Sequence, residues 1–316
     1  MSYVSFDLET TTTTLHKRKA SPFSPENWVV TAGFKHKEEA VKERRFGDVR
    51  PEDGWLADIL FNSKREKVKL IIGFNIRFDL MHAIHNNPKN LDMWMEYVAE
   101  GGQVWCCQLA EYLLNGQSQD SQMLSLDETA PRYGGNVKVD EVKLLWQTGV
   151  NTHEIEPELL TRYLCGGLDE NGVFQMGDVE NTEKVALGQI ERARASGQLG
   201  SIMLNMGALL FTLEAERNGM YVDVPRGLEI ADELRKEQAE LTAELNGFVP
   251  KDLPFEFNWS SRFHKSALIF GARVAYARRE YDLKDGTKTF ENPMSNVIPR
   301  DQYVYANKQG YKYVFG

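Results

Sequence analysis

The chain has 316 residues, a formal net charge of −9, 42% hydrophobic and 26% charged residues. That balance belongs to a folded protein of about two domains, and no apolar run approaches the roughly 20 residues that would span a bilayer, so a membrane partner is not expected. No basic segment followed by an apolar one opens the sequence, and Cys106, Cys107 and Cys165 form neither a metal-ligand spacing nor a disulfide framework, which together point to a reducing cytoplasm.

In chain order, three short β-branched runs read as strands: Tyr3–Leu8, Trp28–Phe34 and Lys69–Phe74. Helical patterns follow at Asp79–His85, Cys107–Leu114, Leu124–Tyr133 and Glu158–Leu164, then a longer one from Asp178 to about Ala195. Strands followed by helices predict an α/β domain over residues 1–195. Ala193–Gly200 reads as a linker. Beyond it, helices are predicted at Ile202–Arg217, at Arg226–Leu245 and after the cap-like Phe257-Asn258-Trp259-Ser260-Ser261, through Phe270. Asp285-Gly286 and Asn292-Pro293 read as turns. Tyr303, Tyr305, Tyr311, Tyr313 and Phe315 alternate with Lys308 and Lys312; the pattern fits either base stacking or a strand in a small sheet. Charge is uneven as well. Residues 251–316 carry 11 Lys/Arg against 7 Asp/Glu, whereas residues 1–250 carry 26 against 39. An acidic body can gather divalent cations and a basic tail can meet phosphates, although both are common as plain solvated surface.

Four carboxylates carry the chemistry. Asp7 and Glu9 stand two apart at the end of a strand, hence on one face, where only a cation between them relieves their repulsion. Hard oxygen ligands favour Mg²⁺ or Mn²⁺. Asp79 closes Gly73-Phe74-Asn75-Ile76-Arg77-Phe78-Asp79, and Asp178 follows Phe174-Gln175-Met176-Gly177. Each of the last two could simply be a helix cap, the commoner role for an Asp at a helix start. His82 and His85, three apart on a helix with no further ligand at metal spacing nearby, read as ordinary packing or surface residues.

Taken in order, Asp-x-Glu, then Asn-x-x-x-Asp, then an Asp opening a helix about a hundred residues later resembles the DEDD exonuclease superfamily. Pro22–Val30 and Trp105–Leu114 resemble phage family A DNA polymerases, Leu213–Asp223 resembles the start of their polymerase region, and Phe257–Ser261 resembles an element of their thumb. The resemblance covers the chain to about residue 271.

It implies a ribonuclease H-like mixed sheet with flanking helices over 1–195, and a mainly helical thumb-like region over 201–316. It further implies two divalent metal ions held by Asp7, Glu9, Asp79 and Asp178, with Thr10, Asn75 and Phe78 binding the substrate. The activity implied is 3′→5′ proofreading hydrolysis of DNA in the cytoplasm of a bacterial host, on a single-stranded 3′ end or a primer-template. The family's water-orienting Tyr belongs four residues before the last Asp. Phe174 stands there, and Tyr163 would replace it if Gly167–Met176 were an insertion; both remain candidates. Palm Asp motifs and a fingers helix were not found, so the expectation is the N-terminal half of a split or truncated polymerase, unable to polymerise alone and partnered by a second polypeptide carrying palm and fingers. The competing reading is a catalytically weak subunit that positions DNA, and a third is a free-standing RNA exonuclease.

Overall fold

In the computed structural model, every residue is described except 1, 16, 123, 137–140, 170–171, 284–287, 290–302 and 316. The residues group into two compact units, 1–220 and 221–316.

The first unit is built on strand β1 (Tyr3–Thr10), whose alternation sends Val4, Phe6 and Leu8 into the core and leaves Tyr3, Ser5, Asp7 and Glu9 on the opposite face. A minimal ribbon follows, β2 (Thr14–Leu15) with β3 (Arg18–Lys19). Strand β4 (Val29–His36) adds antiparallel to β1 and β5 (Lys42–Arg45) antiparallel to β4; β6 (Leu70–Gly73) and β7 (Gln103–Cys106) add parallel on the other side of β1. The order β5-β4-β1-β6-β7 makes a mixed five-stranded sheet with β1 at its centre. β6, Leu-Ile-Ile-Gly, is buried throughout, as expected of a parallel strand covered on both faces.

Helices flank this sheet: α1 (Ala57–Leu60), α2 (Ile76–Ile84), α3 (Pro88–Ala99), α4 (Cys107–Leu114), α5 (Leu126–Thr129), α6 (Glu141–Gln147) and α7 (Pro157–Cys165). After α7 comes a hairpin, β8 (Gly167–Leu168) with β9 (Phe174–Gln175), then α8 (Asp178–Ala195) and α9 (Leu199–Asn218). The α/β class expected from sequence is therefore present as a mixed sheet flanked by helices.

One buried polar knot ties α4 to α8. Glu111, wholly buried, accepts hydrogen bonds from Tyr133 (2.7 Å), Gln189 (3.0 Å), Arg132 (3.0 Å) and Asn115 (3.0 Å). Gln189 in turn accepts from the Trp105 indole at 3.1 Å and donates to the Cys107 carbonyl at 3.0 Å. A buried carboxylate is tolerated because its oxygens are answered in this way.

The sequence placed a linker at 193–200, but only residues 196–198 separate α8 from α9. α9 buries Ile202, Met206 and Leu213 against the core of the first unit, and the division falls after Met220. The sequence signal of an apolar helix was correct; the neighbour that covers it could not be read locally.

In the second unit, α10 (Val224–Asn246) starts at Asp223, whose side chain accepts the Arg226 N–H, and it buries no residue. α11 (Arg262–Phe270) is capped by Ser261. The unit ends in a three-stranded antiparallel sheet of β10 (Arg273–Leu283), β11 (Lys288–Thr289) and β12 (Tyr303–Val314). Among the described residues its helices thus lie in the first half, and a small core gathers Ala267, Val274 and Phe315. Tyr311 lies opposite Tyr276 with rings 5.7 Å apart, so the strand reading of the aromatic alternation describes this part. The turns expected at Asp285-Gly286 and Asn292-Pro293, and the side chains of Tyr303, Tyr305 and Lys308, lie outside the described residues. Among the described residues, no helix is long and apolar enough to cross a membrane.

Candidate metal centre

β1 carries Asp7 and Glu9 near its C-terminal end, beside the parallel strand β6. In open α/β sheets this edge is where ligands bind. The register shifts between Glu9 and Thr10, a bulge of the kind that re-aims side chains beside active sites.

What covers the carboxylate face is set by one glycine. Gly33 on β4 pairs with Asp7. A Cβ there would lie 2.6 Å from Leu164 Cγ and 2.9 Å from Val179 Cγ2. The missing side chain lets α7 and the start of α8 approach the sheet next to Asp7. α8 is then pinned by Ser5, which donates to the Val179 carbonyl at 3.0 Å, and by Glu183, which accepts from Tyr3 at 2.9 Å and from Lys35. α7 is pinned through Glu43, which accepts from both Thr31 and Thr161 at 2.7 Å.

This packing brings Asp178, the first residue of α8, to the β1 pair. One carboxylate oxygen from each of Asp7, Glu9 and Asp178 falls within 4.8 Å of the others. Glu9 and Asp178 are buried and Asp7 half-buried. Asp79, buried on α2, is the fourth. Burial pushes its carboxyl well above the usual range, the charges of Asp7 and Glu9 add to that, and hydrogen bonds from its own backbone N–H and that of Leu8 oppose it. The three carboxylates of Asp7, Glu9 and Asp178, with Asp79 close enough to feel the charges of the first two, form a hard-oxygen donor set that suits Mg²⁺ or Mn²⁺. Glu9 and Asp178 are buried beside a third acid, so the donor set fits a divalent cation by charge as well as by ligand type.

The capping roles considered for the two aspartates are not what the fold uses. α2 begins at Ile76 with Asn75 as its N-cap, so Asp79 lies inside the helix instead of opening it. α8 has Gly177 at its N-cap, and Asp178 is the first helical residue.

Asn75 adopts a left-handed conformation with φ of 55°, and its side chain makes no cap hydrogen bond. Left-handed backbone at a non-glycine residue is uncommon and gathers at ligand sites. Asn75 and Phe78 line a cavity of about 270 Å³ together with Lys19, Phe23 and Arg77. Thr10 is buried directly after the bulge. His82 is a packing residue: its Nε2 meets the Ala20 carbonyl at 3.0 Å and its ring lies 4.6 Å from that of Phe78. Burial holds its pKa down at about 4.

The two aromatic candidates separate. Phe174 lies on β9 and is 55% exposed. Tyr163 lies on α7, half-buried, edge-on to Trp146 at 5.7 Å. Between them the chain makes an excursion. A Cβ on Gly177 would stand 2.3 Å from the Gly166 nitrogen and 2.4 Å from the Leu164 carbonyl oxygen, so the two glycines abut and the hairpin leaves and returns at one point. The candidate insertion Gly167–Met176 carries the β8–β9 hairpin, which Asp169 stitches, accepting from Val173 N–H at 2.9 Å and Gln175 Nε2 at 3.0 Å. Passing from Gly166 directly to Gly177 would leave Tyr163 five positions ahead of Asp178, one more than the family spacing.

Cys165 is a neighbour that the sequence reading assigned no role. Its thiol is pushed up to about 12, first by burial and then by Glu43, Asp7 and Glu180. Gly33 is another. No local signal marks either one, because their importance lies in what crosses over them. No protein-family model and no curated protein matches this sequence.

Proposed function

We propose that the chain is a metal-dependent exonuclease that removes nucleotides from a DNA 3′ end, with a ribonuclease H-like domain holding the centre. The observation that carries this reading is the convergence of Asp7, Glu9 and Asp178 within 4.8 Å, with Asp79 electrostatically coupled to the first two. The mixed sheet with β1 at its centre supports the ribonuclease H-like assignment. The 3′→5′ direction and the DNA substrate rest on the family resemblance.

Asp7, Glu9 and Asp178 would hold one divalent ion. Asp7 would also face a second, with Asp79 reaching it through water. When bound, such ions supply water activation and stabilisation of the leaving 3′ oxygen. The chain's own part is positional. The Tyr163 hydroxyl would orient the attacking water, a role supported by the hairpin whose ends meet at Gly166 and Gly177. Thr10, Asn75 and Phe78 would hold the terminal nucleotide.

The test is a 5′-labelled single-stranded oligonucleotide incubated with Mg²⁺ or Mn²⁺. Stepwise shortening from the 3′ end with release of nucleoside monophosphates is expected, together with Mn²⁺ binding, read by its own paramagnetic signal, that is lost in Asp7→Ala. An untouched oligonucleotide in Mn²⁺ would favour the DNA-positioning subunit instead.

A further inference from the structure

We propose that the β8–β9 hairpin is a stacking platform for an unpaired nucleobase of the strand under hydrolysis, with Phe174 as the ring on which the base of the penultimate nucleotide lies. The inference rests on the exonuclease reading and adds to it a contact on the retained strand.

Leu168 and Phe174 are cross-strand partners, so their side chains share one face of the hairpin. They are 63% and 55% exposed. The hairpin does not need this apolar face to hold its shape. Its strands are stitched by the Asp169 carboxylate. Its base is fixed by Asn136, which accepts from the Met176 N–H at 3.0 Å, and by Asn181, which donates to the Met176 carbonyl at 3.3 Å. Two apolar side chains are therefore displayed on a polar-braced support.

The location narrows the occupant. Phe174 lies four residues before Asp178, and a Cβ on Gly166 would meet the tip of its ring at 3.1 Å. Gly166 in turn abuts Gly177, where a Cβ would stand 2.3 Å from the Gly166 nitrogen, and Gly177 immediately precedes Asp178. The ring thus stands at the junction that delivers the third metal-ligating carboxylate. A face of two side chains is far too small for a protein partner, which needs on the order of 800 Å² per side, but it matches one base. An aromatic ring takes any base, since every base has a π-face, and only a base freed from its duplex can lie on it. An exonuclease that must process any sequence from an unpaired end calls for that kind of contact.

The experiment uses the full chain, Mn²⁺ and three substrates: a single-stranded oligonucleotide, the same strand abasic at the penultimate position, and the p-nitrophenyl ester of thymidine 5′-monophosphate, which has no retained-strand base. Loss of the stacked base should raise KM of the wild type roughly 5- to 150-fold, the range for one base–aromatic stack. Phe174→Ala should show the same rise on the intact oligonucleotide and no further rise on the abasic one, and Phe174→Trp should restore the difference. In Ca²⁺, a penultimate 2-aminopurine should be quenched by the wild type and not by Phe174→Ala. An abasic penalty or quenching that persists in Phe174→Ala overturns the platform while ester hydrolysis leaves the exonuclease reading standing. Failure of the wild type to hydrolyse either oligonucleotide or ester removes the exonuclease reading, and the platform with it.

Discussion

Helices α8 and α10 are similar in length and equally plain in the sequence, yet they behave in opposite ways. α8 buries Asp178, Val179, Asn181, Thr182, Glu183, Val185, Ala186, Gln189 and Ala193. α10 buries nothing. More than half of the residues buried on α8 are polar, and all of these except Thr182 meet partners, as the burial of polar groups generally requires. α8 is thus positioned by specific pairings and carries, at its first residue, a carboxylate of the cluster that could hold a metal ion. α10 rests on its own hydrogen bonds, its Asp223 cap and side-chain pairs such as Arg226–Glu229. Helical periodicity announces a helix. Its purpose shows only in what it buries.

The largest expected effect sharpens this contrast at the two helix starts. Asp178→Ala, like Asp7→Ala with Glu9→Ala, should lower metal-dependent hydrolysis by several orders of magnitude. It should not lower the thermal midpoint, because it relieves repulsion among clustered carboxylates. Glu229→Ala in the first turns of α10 should leave the rate unchanged. Comparable loss from Glu229→Ala would show that the centre does not lie on α8.

Next comes the polar knot. Gln189→Leu leaves the Trp105 indole and the Cys107 carbonyl unanswered and removes one donor from buried Glu111. A cost of about 3 kcal/mol in urea unfolding is expected. Gln238→Leu on α10, where nothing is buried, should stay within about 0.5 kcal/mol.

Acid should act on the first unit in two stages. His82 is held neutral in the fold, with its pKa lowered to about 4, so the unfolded chain takes up its proton first. Its contribution is complete above about pH 6.5 and is lost as pH falls toward 4, about 2 kcal/mol between pH 7.5 and 5. For Glu111, burial raises the pKa but hydrogen bonds from Tyr133, Gln189, Asn115 and Arg132 outweigh it and hold the carboxyl low. That contribution is present above the ordinary carboxylate pKa and fades only below it. Unfolding free energies at pH 7.5 and 5 should differ less in His82→Gln; an unchanged difference would exclude His82 as the source.

Much of the centre was legible in the sequence. Asp-x-Glu on a strand requires a shared face, and the face is there. The apolar runs of β1, β4 and β6, the helical pattern from Asp178 and the cap before α11 gave their elements nearly to the residue. β5 was missed because Lys-Glu-Arg-Arg has no apolar alternation; it is a strand because β4 offers it an edge. The Gly33 contact and the Gly166–Gly177 junction were not legible because each is a meeting of segments far apart in the chain or separated by a hairpin. Tyr163→Phe tests the value of that junction. A fall of roughly ten- to a hundred-fold in the rate of hydrolysis, with unchanged Mn²⁺ binding, is expected of a water-orienting hydroxyl. No change would leave Tyr163 as a packing partner of Trp146.

The smallest expected effect tests α10 itself. Leu228, Leu234, Leu241 and Leu245 are all exposed there, and none takes part in a buried cluster. Truncation of a buried Leu destabilises because transfer energy is lost and a cavity remains, typically 2–5 kcal/mol. An exposed Leu has neither to lose, and Ala is the better helix former by a small margin. Leu234→Ala and Leu241→Ala should therefore each change the unfolding free energy by less than about 0.5 kcal/mol. Leu213→Ala on α9, where the same side chain is buried, should cost about 2–5 kcal/mol. The control is protein concentration. If Leu234→Ala costs more than about 2 kcal/mol, and the cost grows as the chain is concentrated, α10 is covered by a second copy in solution and the contrast with α8 disappears. If the cost is large at every concentration, α10 is packed within the chain and its exposure is wrong.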